Sequence, residues 1–319
     1  MRFATFQSGK QAVPAIALAD DRLLDIPVGG AAAIEAALLP SSTKLPTRVL
    51  DIVQGGLPML TVCRRLIEYA DHPALAPHVV PKTAELLAPI PRPAKNVFCV
   101  GKNYRAHISE GSVAQGIADV VPESPVFFTK PPTAVIGPDE AILRQPDVTE
   151  KLDYEVELAV VIGRRGRNIP AGDALDYIFG FTIINDISAR DIQRQHGGQY
   201  FKGKGLDGSC PMGPYIVTRD EIADVDDLRI ALTVNGEIRQ DGNTRDMIFS
   251  IPEQIAALSR GMTLEPGDLI ATGTPSGVGY AMEPPQFLQH GDEVTCEVEG
   301  IGVLRNPVKN VDELAVVTG

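Results

Sequence analysis

The stretch KLDYEVELAVVIG, residues 151–163, decides how the rest of the chain is read. Asp153, Glu155 and Glu157 alternate with Leu152, Tyr154, Val156 and Leu158, and the run then turns wholly apolar. Side chains on a strand alternate faces with a period of two, so the three carboxylates share one face. Like charges side by side repel, and a carboxylate next to a buried run is costly to desolvate. Glu155 and Glu157, two residues apart, lie about 7 Å apart at Cα and can converge on one ion. Some 30 residues on, FTIINDISARD (181–191) reads as a second apolar strand ending in acids. If its end lies beside the first strand, Asp186 supplies a third oxygen ligand. Three carboxylates without histidine or cysteine suit a hard cation, Mg²⁺ or Mn²⁺, with water or substrate in the open positions. The plain alternative is that Glu155 and Glu157 sit on a solvated sheet face. On these residues alone both readings stay open.

Working outward, short strand-like runs separated by Gly, Pro, Asn and Asp fill the chain from NVFCVG onward, among them PVFFTK, GFTIINDIS, YIVT, RIALTVNGEI, DLIATGT and DEVTCEVEG. Asn235-Gly236 between β-branched runs predicts a hairpin. Helical signals are fewer: the SEGSVAQGIAD region, and IPEQIAALSRG, where Pro252 suits a first turn and Gly261 a stop. LDGSCPMGP reads as turn-rich. Before these lies a small β-rich unit, MRFATFQ, AVPAIALAD and DRLLDIPV. RVLDIVQGGLPMLTVCRRLIEYAD follows at near-helical spacing, interrupted by Gly55, Gly56 and Pro58. AELLAPIPRPAKN looks like a linker, which puts a domain boundary near residue 90: a small N-terminal domain, 1–90, and a main domain, 91–319. The expected class is α+β, mostly β, with a folded or rolled sheet.

Composition narrows the partners. The 319 residues are 44% hydrophobic and 22% charged, ordinary for a globular chain. Lys and Arg total 29 against 41 Asp and Glu, a formal net charge of -12, with no basic block. That excludes a phosphate-backbone reader of nucleic acid and argues against an anionic membrane surface. A small anionic substrate remains compatible, because local charge can oppose net charge. The N-terminal stretch lacks an apolar signal-peptide core, and no segment reaches the roughly 18 to 20 apolar residues of a membrane span. Cys63, Cys99, Cys210 and Cys296 are far apart and form no CxxC pair, so a cytoplasmic setting is expected and thiolate metal binding has little support.

Three further stretches carry polar groups. In GKNYRAHISEG, His107 and Glu110 share a face if helical, so the carboxylate could orient the imidazole as a base; a surface pair is the plain alternative. Residues 198–204 match GxxxxGK, but Gly205 stands where a P-loop needs Ser or Thr, which rejects that reading. Lys202 or Lys204, on a glycine-flanked loop, could instead present a cation to an anionic substrate or a developing enolate. ATGTPSGVG (271–279) offers the hydroxyls of Thr272, Thr274 and Ser276 and backbone N–H groups for a carboxylate, or is simply a tight turn.

GKNYRAH (101–107), PVFFTKPPTAVIGP (125–138), DYEVELAVVIG (153–163), NDISARDIQ (185–193), KGLDGSCPMGP (204–214), TVNGEIRQDGNTRDMIF (233–249) and LEPGDLIATGTPSGVG (264–279) together resemble the fumarylacetoacetate hydrolase family, in its acylpyruvase-like branch. The resemblance implies a mixed β-roll, usually dimeric, with a Mg²⁺ or Mn²⁺ site held by Glu155, Glu157 and Asp186. It implies that His107 and Glu110 form a lid dyad that prepares a water, with Lys204 stabilising negative charge. Thr274 would bind a substrate carboxylate, Arg190 and Gln193 would lie near metal and substrate, and Lys130, in the F-x-K-P stretch, would join them on the substrate side. The implied activity is metal-dependent hydrolysis of a C–C bond in an acylpyruvate-type 2,4-diketo acid, fumarylpyruvate- or acetylpyruvate-like, to pyruvate and a carboxylic acid. The alternatives on the same metal site are decarboxylation of oxaloacetate or another 2-keto diacid, and isomerisation or hydration of a 2-hydroxydienoate. A binding protein without catalysis is the reading from a different class. The implied partners are a small 2-keto acid and a second copy of the chain.

Overall fold

A computed structural model describes residues 1–81 and 83–311; residues 312–319, the end of the expected main domain, lie outside the described residues. The apolar run of the opening stretch forms the strand Val156–Ile162, buried at every position. Val156, Leu158, Val160 and Ile162 enter one apolar cluster, whereas Ala159 and Val161 enter another. A strand covered on both faces reads as a continuous apolar run, which is why alternation stops after Glu157. Each fully buried Val, Leu or Ile side chain here contributes about 1.5–3 kcal/mol.

This strand pairs antiparallel with Ile178–Asn185 on one side and Leu269–Ala271 on the other. Leu269–Ala271 runs parallel to Val97–Gly101, which pairs with Val126–Lys130. On the opposite side Ile178–Asn185 pairs with Cys210–Thr218. Arg2 and Phe3 then pair with Val217 and Ile216, so the N-terminal strands continue the same 12-stranded sheet. A second, five-stranded sheet contributes Ile230, Leu232, Val294, Cys296 and Leu304 to the cluster that holds Leu158 and Val160. The helix Val49–Glu68 covers the other face through Val49, Ile52, Val53 and Leu66. The architecture is the mostly-β α+β fold with mixed sheets that the sequence predicts.

Local signals account for much of the detail. Asn235 and Gly236 take φ 53° and 80° and join Val234 to Glu237 in a hairpin. Ser250 and Glu253 form a capping box ahead of the helix Ile251–Ser259, and Gly261 follows its end at φ 79°. The helix Val49–Glu68 is kinked at Gly56, whose φ of 54° and ψ of -141° leave the helical region. Two stretches differ from expectation. CPMGP is part of the nine-residue strand Cys210–Thr218, whose register against Ile178–Asn185 shifts between Phe181 and Ile183; such a shift accommodates the missing proline donors. FKGK, expected as loop, is a four-residue helix, Phe201–Lys204. All four cysteines are free and buried. Among the described residues no helix is long and apolar enough to cross a membrane.

Candidate active site

The strand Val156–Ile162 begins where Glu155 N donates to Asn185 Oδ1 at 3.0 Å and Asp186 N donates to Glu155 O at 2.8 Å. This pairing brings Asp186 to the two glutamates, 31 residues on from Glu155 and 29 from Glu157. Carboxylate oxygens of Glu155, Glu157 and Asp186 lie within 4.8 Å of one another. Their residues are 4%, 1% and 0% exposed, which excludes the solvated-face alternative. Asp153 does not join them. The strand is interrupted between Leu152–Asp153 and Val156–Ile162. Asp153 instead accepts from Tyr154 N, Gly279 N and Tyr280 N and from Arg190 Nε, at 2.8–3.0 Å.

Three buried cations surround the acids. Lys204 Nζ lies 2.6 Å from both Glu155 Oε2 and Asp186 Oδ2. Arg190 Nη2 is 2.7 Å from Glu155 Oε1, with the Tyr280 ring 4.4 Å from its guanidinium carbon. Lys130 donates to Asp186 Oδ1 at 2.7 Å, to Ile187 O at 3.0 Å and to Lys204 O. Those three acceptors use all three of its N–H groups, and it is fully buried. The expected substrate-side Lys130 is thus seen with its ammonium taken up by three groups of the protein, Asp186 among them. Lys204 reaches the acids because Phe201–Lys204 is helical. That helix packs so closely on residues 190–195 that a Cβ at Gly203 would stand 2.7 Å from Gln193 N.

Fully ionised, Asp153, Glu155, Glu157 and Asp186 outnumber Lys130, Lys204 and Arg190 by one charge. Burial acts to raise Glu155, but Lys204 and Arg190 hold its carboxyl well below the usual range. Burial also acts to lower Lys204, yet Asp186 and Glu155 hold it above the usual lysine value. Glu157 accepts Gly273 N at 2.8 Å and has no cation within ion-pair distance among the described residues. Burial, with Asp186 and Glu155 beside it, pushes its carboxyl well above the usual value. An all-oxygen, buried triad with one uncompensated carboxylate is a donor set that fits a hard divalent cation.

The second half of the site comes from the helix Arg105–Gln115, where His107 and Glu110 lie one turn apart. His107 Nδ1 is 2.8 Å from Glu110 Oε1, and Gly277 N donates to Glu110 Oε2 at 2.8 Å. An Nδ1–H donated to this carboxylate leaves the Nε2 lone pair free as a base. His107, Glu155, Glu157, Arg190, Gln193, Lys204 and Thr274 all line one cavity of about 400 Å³. The structure thus gathers all ten expected site residues: seven line the cavity, and Glu110, Asp186 and Lys130 each bond to one of those seven. The residues that sequence reasoning missed are Asp153 as the anchor of Arg190, Tyr280, Gln240, and the wall cations Lys102 and Arg194. Gln240 and Lys102 lie inside stretches that carry the family resemblance, but no local pattern marks them as polar contacts.

The sequence profile described as fumarylacetoacetate (FAA) hydrolase C-terminal matches residues 96–309. The oxaloacetate tautomerase YisK of Bacillus subtilis is 43% identical over 312 residues, covering 97% of this chain and 100% of that protein. Among solved structures, a fumarylacetoacetate hydrolase from Exiguobacterium antarcticum superposes with a TM-score of 0.78 at 38% identity, over 98% of this chain and 100% of that one. A 5-carboxymethyl-2-hydroxymuconate delta-isomerase from Mycobacterium smegmatis gives a TM-score of 0.71 at 34% identity, over 98% of this chain and 100% of that one. The chain belongs to the fumarylacetoacetate hydrolase family.

Proposed function

We propose that this family member is a divalent-metal-dependent enzyme that interconverts the keto and enol forms of a small 2-oxo dicarboxylate of the oxaloacetate type. The observation that carries this reading is a single cavity joining a histidine base to a buried acid triad, with Lys102 and Arg194 on its wall. Neither of these two cations has an ion-pair partner among the described residues, and together they suit a second, distal carboxylate. The full-length similarity to an oxaloacetate tautomerase and the likeness to a delta-isomerase support proton transfer over bond hydrolysis.

A divalent ion held by Glu155, Glu157 and Asp186 would polarise the 2-oxo group and acidify the adjacent C–H. His107 Nε2 takes the C3 proton, and Glu110 stabilises the imidazolium through Nδ1–H. The C–H electron pair becomes the C2–C3 double bond while the carbonyl pair moves onto the oxygen, which then receives the proton from His107. Substrate and product are isomers, so no co-reactant is consumed. Thr274 holds the C1 carboxylate, and the Lys204 ammonium, with two of its three donors on carboxylates, supports negative charge beside them.

Hydrolysis of an acylpyruvate, the first expectation from sequence, stands second; the same Glu110-held imidazole suits deprotonation of a water. Oxaloacetate and acetylpyruvate with Mg²⁺, followed by enol absorbance and by NMR in D₂O, separate the readings. Enol–keto exchange of oxaloacetate above the uncatalysed rate, lost in His107→Ala, supports tautomerisation. Acetate and pyruvate from acetylpyruvate would move the function to hydrolysis, and pyruvate with CO₂ from oxaloacetate to decarboxylation.

A further inference from the structure

Gln240 lies on the strand Glu237–Asn243 of the five-stranded sheet, outside the cavity, yet its side chain is completely buried between two parts of the site. Its Oε1 accepts from Val156 N at 3.0 Å, the N–H that lies between Glu155 and Glu157 in sequence. Its Nε2 donates to Pro275 O and to Thr274 Oγ1, each at 2.8 Å. The two backbone partners fix the direction of the amide. Turned over, it would set N–H against the Val156 N–H and oxygen against the Pro275 carbonyl, leaving buried groups unpaired.

The hydroxyl of Thr274 has one hydrogen to give and two lone pairs to offer. With a Gln240 N–H directed at its oxygen, it acts as an acceptor toward Gln240. Its own hydrogen has no acceptor among the described residues, and Thr274 lines the cavity. We propose that Gln240 is a positioning residue: it fixes the Thr274 hydroxyl as a hydrogen-bond donor toward an oxygen of the ligand's carboxylate. The inference rests on the proposed function in taking Thr274 to meet the C1 carboxylate. Because the same amide binds Val156 N, the carboxylate subsite and the strand bearing the two glutamates are set by one side chain.

The test is a double-mutant cycle on the Mg²⁺-loaded protein, with oxalate as the probe and affinity measured by calorimetry. Thr274→Val is expected to weaken oxalate about tenfold or more, as loss of a charge-assisted hydrogen bond does. Gln240→Met is expected to weaken it several-fold more in the native background than beside Thr274→Val, where only the lost contact to Val156 N remains. In turnover, the Gln240→Met effect should fall on KM with kcat nearly kept, since the carboxylate is bound alike throughout the reaction. If Gln240→Met does not fold, Gln240→Glu keeps the shape and the Val156 contact but presents an acceptor to Thr274. Its cost to oxalate should then be greater in the native background than beside Thr274→Val. No loss in Thr274→Val alone would defeat the reading of the C1 subsite. Loss in Thr274→Val with an equal Gln240 effect in both backgrounds, or none in either, would overturn the role of Gln240 and leave the proposed function intact.

Discussion

Gly277 donates its backbone N–H to Oε2 of Glu110 across 2.8 Å, although 167 residues separate them. The other oxygen of Glu110 meets His107 Nδ1, so both are engaged and the imidazole is held in one tautomer. The same loop gives Asp153 the N–H groups of Gly279 and Tyr280. One loop therefore ties the helix that carries the base to the segment that leads into the metal strand.

Glu110→Gln tests that arrangement. The amide oxygen can still accept from Gly277, which leaves its NH₂ facing Nδ1 and drives the histidine proton to Nε2. Turnover is expected to fall about 10²–10⁴-fold, the usual worth of a general base. Mn²⁺ affinity measured by calorimetry should stay within about threefold; a parallel loss of metal binding would refute the separation of dyad from triad.

If the proposed triad holds the ion, Glu157 is expected to set how metal binding depends on pH. Its carboxyl is raised above the ordinary 4.5 by burial and by Asp186 and Glu155. In the metal-free protein it keeps its proton as pH rises past 4.5, so Mn²⁺ must displace that proton. Affinity should climb with pH until the raised value is passed and then level off. The linked stability has the opposite sense in the metal-free state: the contribution of Glu157 is fully present below its unfolded value and is lost as pH rises through the folded one. Calorimetry in buffers of different ionisation enthalpy should find proton release that approaches one at pH values below the raised value of Glu157 and falls away above it. Glu157→Gln should release none and bind Mn²⁺ at least about a hundredfold more weakly.

Lys130→Met removes the buried cation from Asp186 Oδ1 and leaves Ile187 O without its donor, while Lys204 O keeps that of Ser209 Oγ. Breaking a buried pair at one partner costs about 3–5 kcal/mol. Urea unfolding of the metal-free protein should show that loss; an unchanged midpoint with raised KM would put Lys130 on the substrate side.

Lys102→Ala and Arg194→Ala bear on the distal carboxylate. Each is expected to raise KM for oxaloacetate about three- to tenfold and to leave a monocarboxylate 2-oxo acid such as acetylpyruvate unaffected. Equal effects on both compounds would mean that the two cations act through the general potential of the cavity.

Much of the site was legible because its signals are local. The Glu155–Glu157 spacing, the His107–Glu110 spacing and the apolar run after them follow from strand and helix periods, which act between near neighbours. Asp186 was legible as an acid at the end of a second strand, although only sheet pairing could bring the two strands together. Asp153 was misleading for the same local reason: period two puts it with the glutamates, but the strand breaks and Arg190 takes it. Lys130 carried no sign of its fate, since three acceptors from residues 186, 187 and 204 decide it.

The sequence by itself determined the mostly-β class, the hairpin at Asn235-Gly236, the capped helix Ile251–Ser259 and the family, with its acid triad. These rest on side-chain periodicity, backbone freedom at single residues and runs of identity. Tertiary structure alone decided which cation neutralises which carboxylate, which way the Gln240 amide points, and that Lys102 and Arg194 at the cavity have no ion-pair partner among the described residues. Charge pairing and hydrogen-bond direction depend on distances of about 3 Å between groups from distant parts of the chain, and no one-dimensional pattern encodes them.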